Sequence, residues 1–189
     1  MSDVVANKVI LASGSPRRRE ILTQIGVNFE VVVSNEEERP RSEDPLDFPG
    51  ENAAAKALAV SKMRPGEYVL GYDTLVFLDG KPLGKPKTPE EALEMLQKLN
   101  GKSHKVVTGV ALAKDSQVVD TQREETEVVF RENTLQELKD YVNSKDPMDK
   151  AGAYGIQGLG ALLVSGIHGD YFNVMGLPIY RLGRILAQF

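Results

Sequence analysis

The sequence of 189 residues contains no cysteine. The chain therefore has no disulfide, thiolate zinc site, iron–sulfur cluster or cysteine nucleophile. It also lacks an excess of positive charge, because 23 Lys and Arg stand against 27 Asp and Glu, a formal charge of −4. General binding to nucleic-acid backbones depends on such an excess, so no nucleic-acid partner is expected.

Long hydrophobic runs are missing as well. No run approaches the roughly 20 apolar residues of a membrane-spanning helix, so no membrane partner is expected. Residues 1–7 lack the basic-then-apolar order of a signal peptide, which favours a cytoplasmic location. At roughly 100–200 residues per domain, the length predicts a single domain over residues 1–189, or two small lobes that share one core.

The hydrophobic pattern alternates between strand and helix. Residues 8–12 form a short apolar run that predicts a strand, and residues 17–25 have helical spacing. Ser15 is positioned to cap this helix and Gly26 to end it. Residues 27–34 alternate as a strand does, and an acidic loop follows.

Capping boxes mark two later helices, one beginning at Thr88 with Glu91 and one at Thr134 with Glu137. Residues 105–114 and 117–131 predict a hairpin, which makes the sheet mixed rather than purely parallel. The other predicted elements are helices over 51–63 and 178–188 and strands over 68–78 and 161–167.

Three consecutive arginines begin the first helix, directly after Ser13-Gly14-Ser15-Pro16. Each arginine in a first helical turn is unfavourable by about 0.3–1 kcal/mol, because the helix N-terminus is itself partly positive. An anion such as a triphosphate would remove this conflict. The alternative is a solvated helix start whose arginines pair with nearby glutamates, and we expect Arg19 to lie at the surface.

Asp73 is a carboxylate within an apolar strand pattern. A buried carboxylate needs a cation, so Mg²⁺, Lys56 or Lys85 is the expected partner. The alternative is an exposed position at a strand end. Glu38, in the acidic run after the second strand, either completes a cation site of oxygen ligands or is solvated surface.

A glycine-rich segment occupies residues 149–158 and includes Gln157. An amide at this place either reads a base edge by paired hydrogen bonds or lies on a bend between strands. His104 and His168 have no neighbouring motif that suggests a catalytic triad, so both are expected to be structural or superficial.

These motifs resemble the Maf family of nucleoside triphosphate pyrophosphatases, through residues 11–18, 71–74, 84–86 and 149–158. The resemblance implies an α/β fold like that of Maf and ITPase proteins, with an elongated, mixed, twisted sheet flanked by helices and a cleft between two lobes. It also implies hydrolysis of dTTP and UTP, or of modified pyrimidine nucleotides, to monophosphate and pyrophosphate. A divalent cation, Mg²⁺ or Mn²⁺, is the implied cofactor, and a homodimer is plausible.

The resemblance also implies roles for individual residues. Asp73 resembles the proton acceptor and a metal ligand, Glu38 a second metal ligand, and Lys56 and Lys85 further catalytic residues. Tyr72 departs from the family, which more often has a small residue there, and strand alternation directs its side chain away from the cleft. The implied substrate-binding residues are Ser13, Arg17, Arg18, Thr74 and Gln157.

Two other functions remain open from the sequence. The first is a nucleotide-binding regulator of cell division that does not turn nucleotide over. The second is a pyrophosphatase for other non-canonical nucleotides, which share the triphosphate and differ only in the base.

Overall fold

The computed structural model of the protein describes residues 8–39 and 42–188. The expectation drawn from residues 1–7 lies outside these residues. The strands are β1 (Val9–Leu11), β2 (Phe29–Val31), β3 (Tyr68–Leu78), β4 (Lys81–Leu83), β5 (Ser103–Lys114), β6 (Gln117–Phe130) and β7 (Val164–His168). The α-helices are α1 (Pro16–Gln24), α2 (Phe48–Ser61), α3 (Pro89–Leu99), α4 (Leu135–Asn143), α5 (Tyr171–Val174) and α6 (Ile179–Leu186).

The strands form one open sheet in the order β2-β1-β3-β5-β6-β7, with β4 paired to β3. β1 is parallel to β2 and β3, whereas β4 and β7 are antiparallel to their neighbours β3 and β6. The predicted mixed α/β fold with helices beside the sheet is confirmed. Within the part of the chain that the structure describes, no helix is both long enough and apolar enough to cross a membrane.

Several predicted boundaries are wrong, for local reasons. β2 is shorter than residues 27–34, because β1 offers only three residues for pairing, from Val9 opposite Phe29 to Leu11 opposite Val31. Residues 161–163 belong to a 3₁₀ helix, Gly158–Leu163, instead of a strand. Strand pairing with β6 begins only at Val164, opposite Phe130. β4 and α5 lie where no element was predicted.

The helix caps agree with the sequence in part. Both hydrogen bonds of the capping box at Thr134 and Glu137 are present. Thr88 accepts from the Glu91 N–H as predicted, but the Glu91 carboxylate accepts from the Lys87 N–H instead of completing the box. Ser15 is the N-cap residue of α1, as predicted, but its side chain makes no cap hydrogen bond.

The chain divides into two compact units. The first comprises Met1–Asp73, Thr108–Glu124 and Gly176–Phe189, and the second comprises Thr74–Val107 and Glu125–Met175. Each unit has its own buried cluster. In the first unit, the cluster consists of small and β-branched residues such as Ala53 and Val69. In the second, larger side chains such as Phe130 and Leu138 fill the core. The single-domain organisation and the cleft stay predictions.

Candidate active site

The first unit brings α2 into very close contact with β3. A Cβ added at Gly71 would lie 2.1 Å from the Ala53 carbonyl oxygen and 2.8 Å from the Ala57 amide nitrogen. Ala53 and Ala57 are fully buried, so the small side chains of α2 face the strand. Only glycine permits this approach. As a result, polar side chains of α2 reach the residue two positions after Gly71 in β3.

That position is Asp73, which is only 4% exposed. The alternative of an exposed strand end is therefore wrong. Lys56 of α2 donates from Nζ to Asp73 Oδ1 at 3.0 Å and to the Tyr72 carbonyl oxygen at 3.4 Å. The predicted need of this carboxylate for a cation is thus met by Lys56, one of the two predicted lysines.

Glu38 shares the same cation. Lys56 Nζ donates to Glu38 Oε1 at 2.6 Å, although the Glu38 side chain is 46% exposed. Glu38 is thus a partly solvated carboxylate that lies at the lysine contacting Asp73. Its role as a metal ligand stays a prediction. Its position in the loop after β2 brings the acidic run to the carboxylate of β3.

The sequence predictions missed Asn52. This residue is 4% exposed and donates from Nδ2 to Asp73 Oδ2 at 3.0 Å. Its Oδ1 accepts from the Arg39 N–H at 3.1 Å. Asn52 and Lys56 are one helical turn apart, and this i, i+4 spacing of polar residues in an alanine-rich helix is the signal that could have identified Asn52.

The arginine cluster at the start of α1 is organised around Arg18. Its Nη1 donates to Ser13 Oγ at 2.8 Å, and its Nε donates to the Gly176 carbonyl oxygen at 2.8 Å. The buried Ser13 hydroxyl also accepts from the Ser15 N–H at 3.3 Å. Ser13 and Arg18, two predicted substrate-binding residues, are therefore in direct contact.

Tyr72 lies beneath Arg18. The Arg18 guanidinium carbon is 5.5 Å from the centre of the Tyr72 ring, which is fully buried. Desolvation lowers the pKa of Arg18, and the nearby Asp73 charge acts in the opposite direction. Tyr72 contacts α1 while Asp73 contacts α2, so adjacent residues of β3 face different helices, as strand alternation requires.

Arg17 is the remaining predicted site residue of the first unit. Arg17 is partly buried, and Arg19 is exposed, as expected. The second unit contains the remaining three. Thr74 is partly buried in β3, Lys85 is exposed after β4, and Gln157 is exposed before the 3₁₀ helix.

Two family motifs meet within the second unit. The Gly152 N–H donates to the Gly84 carbonyl oxygen at 3.0 Å, which joins the turn carrying Lys85 to the glycine-rich segment. Gly152 has φ +68°, and an added Cβ would lie 2.9 Å from a Val76 methyl carbon. A side chain at this position would therefore be strained in both respects.

The glycine-rich segment is also tied to α4. Tyr141 donates from its hydroxyl to Asp146 Oδ2 at 2.8 Å and accepts from the Gly155 N–H at 3.1 Å. A Cβ at Gly160 would lie 2.0 Å from the Gly155 carbonyl oxygen. These glycines have a packing role, but the segment joins α4 to the 3₁₀ helix Gly158–Leu163 and is not a bend between strands.

His104 is a buried structural residue, as predicted. Its Nε2 lies 2.7 Å from the Tyr154 hydroxyl oxygen, and its ring packs edge-on against Phe130 and Tyr154. Burial lowers the pKa of His104 to about 4, so the ring is neutral near pH 7. His168 is exposed at the end of β7.

The donor set at Asp73 is compatible with a hard divalent cation. Asp73 and Glu38 direct carboxylate oxygens at one position, which the Lys56 ammonium occupies. Among residues 8–39 and 42–188, no group of three or more His, Asp or Glu side chains could hold a metal ion. Mg²⁺ commonly uses one or two carboxylates and takes its other ligands from water and substrate phosphates. A cation held by Asp73 and Glu38 would take the position that the Lys56 ammonium occupies.

Comparison with known proteins identifies the family. Residues 8–189 match the Maf family, described as Maf-like protein, so the chain belongs to the Maf family. A dTTP/UTP pyrophosphatase from Bacillus cereus (strain G9842) is 50% identical over 183 residues, covering 96% of this chain and 95% of the relative. A dTTP/UTP pyrophosphatase from Bacillus anthracis is 52% identical over 184 residues with the same coverage.

A solved structure supports the fold independently. A HAM1 protein from Coxiella burnetii is similar with a TM-score of 0.54, covering 97% of this chain and 100% of that one. The sequence identity is 17%, so this similarity concerns the fold alone.

Proposed function

We propose that the protein hydrolyses dTTP and UTP to the nucleoside monophosphate and pyrophosphate. The proposal rests on one observation above all, the buried Asp73 carboxylate with a hydrogen bond from Lys56 on one oxygen and from Asn52 on the other. Two relatives named dTTP/UTP pyrophosphatase support the substrate and the bond that is cleaved. They are 50% and 52% identical to this chain over 96% of its length.

In the proposed reaction, a water molecule attacks the α-phosphorus. Its oxygen forms the new bond to phosphorus, the bond from phosphorus to the bridging oxygen breaks, and pyrophosphate leaves with that oxygen. Asp73 accepts the proton of the attacking water. A carboxylate is a weak base at neutral pH, so much of the rate enhancement depends on holding it in a fixed position against the water.

The cationic residues of the first unit supply the charge that a triphosphate requires. Arg17 and Arg18 bind phosphate oxygens, and the Ser13 hydroxyl, already in contact with Arg18, adds a hydrogen-bonding group. Lys56 neutralises negative charge beside Asp73. This arrangement also removes the electrostatic conflict of arginines at a helix N-terminus.

Asp73 and Glu38 would hold the divalent cation, Mg²⁺ or Mn²⁺. Bound there, such an ion would lower the pKa of a nearby water and neutralise phosphate charge. The roles of Lys85 in catalysis and of Thr74 and Gln157 in base selection rest on the family resemblance. A cytoplasmic location, which the absence of cysteine fits, and a homodimer complete the proposal.

The test is to incubate the purified protein with Mg²⁺ and, in turn, UTP, dTTP, CTP, GTP and a methylated GTP, and to separate the products. We expect monophosphate and pyrophosphate from UTP and dTTP, with less from the purine nucleotides. Preferred turnover of the methylated nucleotide would favour a pyrophosphatase of other substrates. Tight binding without any turnover would favour a nucleotide-binding regulator.

A further inference from the structure

We propose that Asn52 is a positioning residue that holds Asp73 during the reaction, an inference that rests on the proposed function. Its Nδ2 donates to Asp73 Oδ2 at 3.0 Å, and its side chain is as buried as that of Asp73. The family resemblance assigned no role to this position. The inference comes from the contacts that Asn52 makes with the two segments of the site.

The orientation of the Asn52 amide is fixed by both contacts. Its Oδ1 accepts from the Arg39 N–H at 3.1 Å while its Nδ2 faces the carboxylate. Rotating the amide by half a turn would place an oxygen against Asp73 Oδ2 and an NH₂ group against the Arg39 N–H. Both hydrogen bonds would be lost together, so the observed orientation is strongly preferred.

A bound triphosphate would affect the two hydrogen-bond donors to Asp73, Lys56 and Asn52, differently. Lys56 is a cation that also bonds Glu38, and a triphosphate attracts it as well. Asn52 is neutral, so a triphosphate exerts no comparable attraction on its amide. Asn52 therefore keeps Asp73 Oδ2 in place when phosphate charge competes for Lys56.

Asn52 also joins the acidic loop to β3. Arg39 directly follows Glu38, whose carboxylate meets Asp73 at Lys56. The loop is thus attached to α2 at two successive residues, by its backbone through Asn52 and by its side chain through Lys56. Because both anchors lie on one face of α2, Asn52 fixes Glu38 and Asp73 relative to each other.

The test compares Asn52→Leu with wild type and with Asn133→Leu. Leucine has the same branched arrangement of side-chain heavy atoms as asparagine, without its hydrogen-bonding groups. Asn133 is a similarly buried asparagine of the second unit, and its Nδ2 donates to Asn100 Oδ1 at 3.0 Å and to the Arg131 carbonyl oxygen at 2.8 Å. It therefore controls for the loss of a buried amide. Asn52→Ser, which is too short to bridge the two partners, serves if the leucine variant does not fold.

We expect Asn52→Leu and Asn52→Ser to lower kcat for UTP by about tenfold or more and to change KM by less than about threefold. Hydrogen exchange at the Arg39 amide, measured without nucleotide or metal, should become several-fold faster. Asn133→Leu should lower the melting temperature and leave kcat and the exchange at Arg39 unchanged.

Each contrary result has its own meaning. A kcat within about twofold of wild type in a folded Asn52 variant would overturn the role of Asn52 and leave the proposed function standing. A kcat that falls equally in Asn133→Leu would reduce the effect of Asn52 to fold stability and overturn the proposal too. A wild-type protein without turnover of any nucleotide would overturn the proposed function and this inference together.

Discussion

Lys56 Nζ lies 3.0 Å from Asp73 Oδ1, and this is the central electrostatic contact of the candidate site. The carboxylate is almost completely buried and the lysine side chain is 13% exposed, so the pair is largely shielded from water. Glu38 approaches the same ammonium from the solvent side. One cation therefore serves two carboxylates.

Replacing Lys56 by methionine should lower the free energy of unfolding by about 3 kcal/mol, because a buried carboxylate loses its countercharge. Urea denaturation measures this loss. Lys105→Met is the matched control, because Lys105 pairs with Glu125 at 3.0 Å in an exposed position. That change should cost less than about 1 kcal/mol. Equal losses in the two variants would contradict the importance assigned to the Lys56–Asp73 pair.

Gly71→Ala should separate α2 from β3. The added methyl group would lie 2.1 Å from the Ala53 carbonyl oxygen, which belongs to rigid backbone, so the helix must move. We expect a loss of at least about 2 kcal/mol in unfolding free energy together with a lower kcat, because Asn52 and Lys56 move away from Asp73. Thermal and kinetic measurements on the same preparation test both effects.

Gly183→Ala provides the control for this change. Gly183 lies in α6, and a methyl group there meets no described atom within 4 Å. Alanine favours helix by about 1 kcal/mol over glycine, so this variant should be at least as stable as wild type, with unchanged kcat. A Gly71→Ala variant that behaved in the same way would show that the close approach is not required.

Tyr72→Phe should leave stability unchanged or raise it by up to about 1 kcal/mol. Within the described residues, the buried Tyr72 hydroxyl has no hydrogen-bond partner, and its removal preserves the ring beneath Arg18. KM for UTP should therefore not change.

Tyr141→Phe is the control in which a tyrosine loses a hydroxyl that does have partners, because the Tyr141 hydroxyl donates to Asp146 and accepts from the Gly155 N–H. It should cost about 1–3 kcal/mol, and a similar cost at Tyr72 would reveal a partner for its hydroxyl.

His104 should make stability fall with decreasing pH. Its pKa is about 4 in the folded protein, below its ordinary value of 6.5, so the unfolded chain binds a proton that the folded protein does not. Stability is therefore lost as pH falls from 6.5 towards 4, by up to about 1.4 kcal/mol per pH unit. Urea denaturation at pH 7 and pH 5 measures the loss.

His104→Gln should remove most of this pH dependence. Glu30 and Glu137 change stability at lower pH, between their ordinary pKa of 4.5 and the folded-state pKa of about 2 to which hydrogen bonds from Arg64 and Arg131 lower them. The interval from pH 7 to pH 5 lies above this range. An identical slope in wild type and His104→Gln would assign the pH dependence to other groups.

Much of the fold follows from local sequence signals. The bounds of β3 and the two-residue turn between β5 and β6 are as predicted, because long β-branched runs and turn residues specify them. The errors fall where a partner decides the structure. β2 is limited by the length of β1, and residues 161–163 follow a tight turn permitted by Gly158 and Gly160 instead of the β-like composition.

Around Asp73, the charged residues of the candidate site were predictable from the sequence and the neutral Asn52 was not. An aspartate within an apolar strand, Asp73, predicts a buried charge, and Lys56 on the alanine-rich helix is a predicted partner for it. Asn52 carries no charge, and its importance depends on the close approach of α2 to Gly71, a tertiary contact. Likewise, the pairing of Arg18 with Ser13 and the Tyr72 ring requires the folded chain to be known.

The most direct measurement of the central claim is hydrolysis of UTP in water enriched in ¹⁸O, followed by mass spectrometry of both products. Attack of water on the α-phosphorus predicts ¹⁸O in UMP and none in pyrophosphate. The same experiment with a folded Asp73→Asn variant should yield almost no labelled product. Label in pyrophosphate, or undiminished labelling of UMP by Asp73→Asn, would contradict the account.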